Sequence, residues 1–256
     1  NGATAESLRA FWRREYVPRH TTLLIVGDFD ADAVEAAIRR RFGDWRPAPA
    51  EPQPSPGPLD PKAAGKVDVF VDPALSERIT ATRIGPWLDE RDSIAQRREN
   101  LLRQIGYAII NRRLLSRTRE ENAPFRSAGL GTGDVFRVGR TTSLSVDTVD
   151  GKWRRGMVEA VKEYRRALQY GFTAQEVAEQ VANIRKANLN AAASESTRSH
   201  AQLLGAALAL VNDDVVPDTP TRSLERLEAF IPQITPEAVL AAVKREMVPL
   251  EAPLLR

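Results

Sequence analysis

The chain has 256 residues, of which 42% are hydrophobic and none is cysteine. A chain of this length buries about three quarters of its unfolded surface, enough for one large core or two modest ones; the absence of cysteine excludes disulfides, thiolate metal sites and cysteine nucleophiles. The 37 basic and 34 acidic side chains leave a net charge of +3, a weak basis for polyanion binding. The longest apolar runs, such as residues 203–211, fall short of the roughly 18–20 residues that a membrane span needs.

Residues 1–45 carry the pattern of a helix, a strand and a second helix. Apolar side chains recur at helical spacing over residues 4–17. The continuous apolar run of residues 21–26 predicts a buried strand. Asp30 follows it and is a residue type that favours helix N-caps, so a second helix is predicted to begin there.

Residues 46–65 hold seven of the 17 prolines and almost no large apolar side chain. Proline lacks an amide proton and fixes φ, so this stretch is predicted to be an extended linker rather than a helix or a central strand. The linker divides the chain into a first segment, 1–45, and a second segment, 66–256.

The second segment begins with alternating patterns that predict strands at residues 66–72 and 77–85. A long amphipathic helix is then predicted from about residue 89 to 119, with its arginines, including Arg103, on the solvated side. Pro124 opposes its continuation. The predicted apolar stripe of this helix consists of Ile94, Leu101, Leu102, Ile105, Ile109 and Leu115.

Strand patterns return over residues 125–148, first a glycine-rich stretch and then a strict alternation of period two. A helix ending before Gly171 follows, and Thr173 and Glu176 form a capping-box pattern that opens a further helix, predicted to reach as far as Val211. Two shorter helices complete the chain, the last with Pro236 in its first turn.

This order of elements predicts an α+β fold, in which helices pack on one face of a mostly antiparallel sheet in two layers. The helix–strand–helix block of residues 1–45 is interpreted as the remnant of a similar domain.

The chain contains no recognisable motif for metal-dependent or nucleophilic catalysis. Zinc sites use about three protein ligands, whereas His20 and His200 each lack a second histidine or a glutamate at helical ligand spacing. Both histidines are interpreted as core or solvated side chains. Ser127 and Ser145 lie in strand-like contexts without a G-x-S-x-G or S-x-x-K pattern, so they are interpreted as hydroxyls of a strand ladder.

The glycines at 129, 131 and 133 leave two interpretations open. A dinucleotide-binding loop is disfavoured because Asp134 occupies the last glycine position of G-x-G-x-x-G and no helix follows. The glycines indicate either a bulge or close backbone approach, or an edge strand left open for addition of another backbone.

Three stretches carry a resemblance to a known family. Residues 4–45, "TAESLRAFWRREYVPRHTTLLIVGDFDADAVEAAIRRRFGDW", resemble the closing segment of the catalytic domain of the pitrilysin-like zinc metallopeptidases, the inverzincins. Residues 66–247, including the stretches "LLSRTREENAPF" and "RTTSLSV", resemble the second, non-catalytic domain of that family, which makes residues 66–256 the predicted non-catalytic α+β domain. The resemblance implies that residues 1–45 are the C-terminal part of a preceding homologous domain.

The resemblance implies a zinc site, an H-x-x-E-H helix and a downstream glutamate, in the catalytic domain of the parent protein. This chain has no H-x-x-E-H, so no catalytic or metal-binding residue is assigned and no cofactor is expected in it. We expect further sequence upstream and no proteolysis by this chain alone.

The resemblance also implies that the chain forms part of the wall of a substrate-enclosing chamber. The expected partners are a peptide or unfolded protein substrate and the remaining domains of the parent or a homologous subunit, with no nucleic acid and no membrane span. Gly129, Leu130 and Gly131 are the candidate substrate-binding residues. Export is common among bacterial relatives, which makes the periplasm or cell envelope the hypothesis for location.

Two alternatives remain. One is a scaffold or protein-interaction module from a catalytically inactive paralogue of the same family. The other is a nucleic-acid binder that uses the arginine-rich helices, which is disfavoured because no contiguous basic stripe with interleaved aromatic residues is present.

Overall fold

The structure is a computed structural model that describes residues 2–46, 55–60 and 65–256. The chain divides into two compact units, Asn1–Ser55 with Ser194–Asp218, and Pro56–Ala193 with Thr219–Arg256. Much of the predicted linker, residues 47–54 and 61–64, lies outside the described residues.

The α-helices that the structure describes are α1 (Ala5–Glu15), α2 (Ala31–Phe42), α3 (Ile94–Arg117), α4 (Trp153–Tyr170), α5 (Ala174–Ala193), α6 (His200–Asp213), α7 (Pro220–Phe230) and α8 (Pro236–Glu246). The strands are β1 (Arg78–Pro86), β2 (Ser127–Val135), β3 (Gly139–Asp147) and β4 (Leu254–Leu255). No helix in this part of the chain is long and apolar enough to cross a membrane.

The first unit contains α1, α2 and α6, and both predicted helices of residues 1–45 are confirmed. Asp30 caps α2, accepting a hydrogen bond from the Ala33 amide at 3.0 Å. The predicted strand over residues 21–26 is wrong: the segment forms no ladder with any described residue. A strand requires a hydrogen-bonded neighbour, which an apolar run alone does not specify. Leu23 and Ile25 are accordingly 54% and 44% exposed.

The second unit contains an antiparallel sheet with the strand order β2-β3-β1-β4. The predicted strand at 66–72 is wrong except for one residue, because only Val67 makes a bridge, to Leu255. Val69 and Val71, beyond the short β4, are 77% and 84% exposed. The strands predicted at 77–85 and 125–148 are confirmed as β1, β2 and β3.

The core lies between one face of the sheet and the helices α3, α4 and α8. Alternate residues of the strands, including Leu130 and Leu144, meet Ile105 and Val243 from the helices, and all four are at most 3% exposed. The helices α3 and α8 approach closely at Gly106, where an added Cβ would lie 2.3 Å from the Val243 Cγ2 atom. The predicted α+β fold, with helices on one face of an antiparallel sheet, is confirmed.

Two details of the long helix α3 differ from the prediction. Ile94 and Leu115 lie outside the buried stripe and are 58% and 52% exposed. Arg103, which was predicted to face solvent, is buried and donates two hydrogen bonds of 2.6 Å to the carboxylate of Glu90. The paired carboxylate compensates the cost of burying a guanidinium group, and an arginine can therefore occupy a core-facing position.

The helix predicted from Thr173 to Val211 is two helices. The capping box at its start is confirmed, since the Glu176 carboxylate accepts from the Thr173 amide at 2.9 Å. The helix α5 ends at Ala193. A second capping box, formed by Ser199 and Gln202, starts α6. Serine competes for backbone hydrogen bonds in a helix interior and favours N-caps, which explains the break.

Candidate peptide-binding strand

The central part of the sheet face opposite the helices carries small side chains. Because side chains alternate along a strand, the residues between the core positions all lie on this second face. Thr82 Oγ1 and Ser143 Oγ lie 2.9 Å apart across β1 and β3, and Thr80 Oγ1 and Ser145 Oγ lie 3.3 Å apart. On β2 the same face holds glycine at residues 129, 131 and 133, between Ser127 and Val135 at the two ends of the strand. The result is a smooth surface of hydroxyl groups that borders a strip of bare backbone.

The three glycines of β2 neither introduce a bulge nor adopt left-handed backbone. The register with β3 runs without an inserted residue from Ser127 to Val135, and none of these glycines has a positive φ. An added Cβ at Gly131 would meet no atom within 4 Å, and at Gly129 the nearest would be Asn111 Oδ1 at 3.8 Å. Of the two interpretations left open by the sequence, this geometry favours the uncrowded edge strand.

β2 is an edge of the sheet, paired with β3 on one side and with no described strand on the other. In an antiparallel pair the backbone groups of successive residues point alternately toward and away from the partner. The amide and carbonyl of Leu130 bind a side chain rather than β3, which fixes this alternation. Gly129 and Gly131 therefore direct their backbone groups into the sheet, and the outward groups belong to Ala128, Leu130 and Thr132.

The side chain that binds Leu130 is Asn111 of α3. Its Oδ1 accepts from the Leu130 amide at 2.7 Å, and its Nδ2 donates to the Leu130 carbonyl at 2.9 Å. Asn111 is not among the residues predicted from the sequence. The available signal was a short polar residue with low helix propensity beside the buried Ile110, well inside a helix.

A buried charged cluster fixes the end of β2 next to this edge. The Thr132 hydroxyl donates to Glu246 at 3.0 Å, and Arg140 pairs with both Glu246 and Asp134. Nearby, burial raises the pKa of Tyr107 to about 12, so its hydroxyl is neutral across the physiological range. The Oε1 atom of Glu246 holds both contacts, and the cluster positions the strand relative to α8.

No zinc site is formed by the residues that the structure describes. They include no group of three or more histidine, cysteine, aspartate or glutamate side chains placed to hold a metal ion. His20 and His200 both lie in the first unit and are exposed. Ser127 donates to Asp147 at 2.5 Å and Ser145 lies beside Thr80, so both serines take part in the sheet. The zinc expected for the family therefore does not fit the side chains of this part of the chain.

The arginines of α3 pair with glutamates of neighbouring helices. Arg113 lies 2.7 Å from Glu176 of α5, and Arg117 lies 3.0 Å from Glu159 of α4. These pairs tie the helices together and interrupt the positive charge along α3.

A cavity of about 300 Å³ lies between α3, α5 and α7. Three arginines line it, with Arg98 packed 5.1 Å above the ring centre of Phe230 and Arg97 bound to Asp92. The cavity lies in the helical layer, whereas the glycines of β2 lie on the sheet face that the helices do not cover.

The second unit therefore belongs to the α+β class, with helices on one face of a four-stranded antiparallel sheet. Residues 2–184 match the family model described as the peptidase M16 inactive domain, and the chain belongs to this family. The resemblance to the pitrilysin-like peptidases is confirmed.

Among curated proteins, the chain is similar to protein YhjJ of Escherichia coli K12, with 23% identity over 247 residues. The match covers 95% of this chain and 48% of YhjJ, so the chain spans about half the length of that relative.

Solved structures show the same fold. The first half of the periplasmic protease PqqL from Escherichia coli has a TM-score of 0.76 and 17% identity, covering 95% of this chain and 52% of that one. The ferredoxin protease FusC, solved as a mutant in complex with Arabidopsis ferredoxin, has a TM-score of 0.74 and 20% identity over all of this chain and 28% of that one.

Proposed function

We propose that this chain is a non-catalytic segment of a zinc-dependent endopeptidase, in which it forms part of a substrate-enclosing chamber and binds peptide substrates. Membership of the M16 inactive-domain family supports this proposal. The described residues supply no donor set for zinc, so metal binding and hydrolysis are assigned to the rest of the parent. This chain is assigned the binding of the peptide substrate.

The observation that carries the proposal is the open outer edge of β2. The backbone groups of Ala128 and Thr132 point away from β3, and no described residue bonds to them. An extended peptide binds such an edge by adding a strand through main-chain hydrogen bonds. Side chains directly opposite one another on neighbouring strands lie about 4.5–5.5 Å apart. Glycines at 129 and 131 leave that space empty, and peptides of varied sequence can therefore be accommodated.

The structural neighbours support a protein or peptide ligand and a periplasmic parent. FusC is a protease that was crystallised with a protein, ferredoxin, and PqqL is a periplasmic protease. On this basis the candidate substrate-binding residues Gly129, Leu130 and Gly131 are assigned together with the outward groups of Ala128 and Thr132.

Strand addition is tested by placing proline at an outward position. Proline is tolerated on an edge strand when its missing amide faces away from the ladder, so Ala128→Pro is expected to fold while losing a donor to an added strand. Ala3→Pro, at an exposed position before α1, is the matched control. Fluorescence anisotropy with a fluorescein-labelled, reduced and carboxymethylated protein measures affinity. We expect Ala128→Pro to bind at least about tenfold more weakly than the wild type, equivalent to 1.4 kcal/mol.

Equal affinity of the wild type and a folded Ala128→Pro, or no binding by the wild type, would contradict the proposal. Circular dichroism establishes whether each variant is folded. Incubation with Zn²⁺ is expected to give no cleavage by the chain alone, whereas the full-length parent is expected to cleave the same protein. A parent that binds without cleaving would support the scaffold alternative.

A further inference from the structure

Asn111 reproduces the hydrogen bonding of a neighbouring strand at the centre of the candidate site. A carboxamide has one carbonyl oxygen and an N–H donor, as a peptide group has. Asn111 directs both at Leu130, with contacts of 2.7 and 2.9 Å. We propose that Asn111 is a gate: it occupies the Leu130 position of the β2 edge, and a peptide pairs with β2 along its full length only after this side chain has turned away. This inference rests on the proposed function.

The spacing of the outward backbone groups explains why Asn111 blocks the pairing of a peptide with β2. Ala128, Leu130 and Thr132 follow one another at every second residue, about 6.8 Å apart along an extended strand. An added strand bonds to every second residue of its neighbour, and thus to all three positions in turn. Because Leu130 is already bonded to Asn111, it separates Ala128 from Thr132, whose outward backbone groups are open. A continuous strand cannot pass without competing for Leu130.

The side chain of Asn111 can leave without a change in the fold. It projects from α3, which is held in the core by Ile105, Ile109 and Leu114 rather than by Asn111 itself. Rotation about its own side-chain bonds breaks both contacts with Leu130. The bare Gly129 leaves room beside it, since even an added Cβ there would lie 3.8 Å from Asn111 Oδ1.

The gate lowers peptide affinity by the free energy of opening. A ligand that binds only a minor conformation has its apparent affinity reduced by the population of that conformation. Two hydrogen bonds must be broken for Asn111 to leave, and the peptide then restores equivalent bonds to Leu130. Removing the carboxamide eliminates the competitor and leaves Leu130 without its partner, which the peptide then supplies. Peptide affinity is therefore expected to increase when Asn111 is replaced.

The test compares Asn111→Ala with Asn111→Asp and with the control Asn122→Ala, at an exposed turn residue. Anisotropy titration with the labelled unfolded protein is expected to show Asn111→Ala binding at least about tenfold more tightly than the wild type, equivalent to 1.4 kcal/mol. The aspartate still accepts from the Leu130 amide but cannot donate to its carbonyl, so an intermediate gain is expected. Asn122→Ala is expected to match the wild type.

Amide hydrogen exchange measured by NMR shows which amides of β2 the peptide protects. The measurement on the wild-type protein does not depend on how well a variant folds. In the free wild-type protein the Leu130 amide is expected to be protected, while the outward amides of Ala128 and Thr132 exchange quickly; added peptide protects all three. Loss of Leu130 protection in free Asn111→Ala, with protection restored by peptide, supports the gate.

Two results would overturn the gate in different ways. If peptide protects the amides of Ala128 and Thr132 but Asn111→Ala and the wild type bind with equal affinity, the gate is wrong and the peptide-binding function stands. If peptide protects neither amide in any variant, strand addition fails and the gate fails with it.

Discussion

Gly106→Ala gives a stringent test of the core, because helix propensity and packing predict opposite effects. Alanine in place of glycine stabilises a helix interior by about 1 kcal/mol. At Gly106 the added Cβ would lie 2.3 Å from Val243 Cγ2 and 3.2 Å from Val239 Cγ1. Carbon atoms in contact ordinarily lie about 3.5–4.0 Å apart. The overlap with Val243 is therefore more than 1 Å, at a residue with no exposed surface.

The packing cost outweighs the gain in propensity. Val243 in α8 has one strongly preferred side-chain rotamer, so relief requires α3 and α8 to move apart. Overpacking of this kind costs about 1–3 kcal/mol, and the depth of the overlap places the cost at the upper end. The net loss in the free energy of unfolding is about 2 kcal/mol, which lowers the Tm of a domain of this size by roughly 4–8 °C.

Urea denaturation followed by circular dichroism measures this loss, and a double variant identifies its cause. Val243→Ala removes the atom that the new Cβ would meet, so Gly106→Ala should cost little in that background. In α6, Gly205 has no atom within 4 Å of an added Cβ, and Gly205→Ala is expected to be neutral or stabilising. A Gly106→Ala variant as stable as the wild type, or a loss unchanged by Val243→Ala, would refute the packing argument.

Two further predictions concern ion pairs between arginine and glutamate. Hydrogen bonds from Arg113, together with those from Thr173, hold the pKa of Glu176 at about 2, below the ordinary 4.5. Because the folded-state pKa is lowered, the ionised carboxylate stabilises the fold above about pH 4.5 and this contribution is lost as the pH falls toward 2. Glu176→Gln is therefore expected to be less stable than the wild type at pH 7 and equal to it near pH 2, measured by urea denaturation across that range. Glu90→Ala leaves the buried guanidinium of Arg103 without its main partner, and a loss of about 2–3 kcal/mol is expected; Arg103→Met, which leaves the more exposed Glu90 carboxylate, is expected to cost less.

The exposed pair of Arg222 and Glu225 is the control for both predictions. Surface ion pairs contribute about 0–1 kcal/mol, so Glu225→Ala should change stability little. A constant difference between the wild type and Glu176→Gln from pH 7 to pH 2 would contradict the pKa argument. A larger loss for Arg103→Met than for Glu90→Ala would contradict the argument from the unpaired cation.

Features set by neighbouring residues along the chain are predictable from the sequence. Gly171 ends α4 with a positive φ of 71°, as its position after an amphipathic stretch indicates. Pro236 begins α8 in the position where the missing amide proton has no cost. The alternation of residues 140–147 identifies β3, in which Thr142, Leu144 and Val146 are buried. In each case a short sequence pattern and the local backbone geometry determine one another.

Features that depend on distant partners are not predictable in this way. The apolar runs at 21–26 and 66–72 have the composition of strands, but a ladder also needs a second strand at hydrogen-bonding distance. Helical periodicity predicts that Arg103 is solvated, and it carries no information about the contact with Glu90, 13 residues earlier. The contact of Asn111 with Leu130 spans 19 residues between a helix and a strand, so helical periodicity carries no information about it.

The two faces of the sheet allow stability and binding to be changed separately. Leu130 faces the core and is 3% exposed, so a change in its side chain alters packing. Its backbone groups lie at the strand edge, where Asn111 alone holds them among the described residues. Gly131, on the opposite face, has no neighbour for an added side chain. On the proposed function, this arrangement explains how one strand serves both as a fixed part of the core and as a binding edge. The side chains of Ala128, Leu130 and Thr132 lie on the core face, and the backbone groups of the same residues point away from β3, toward the added peptide.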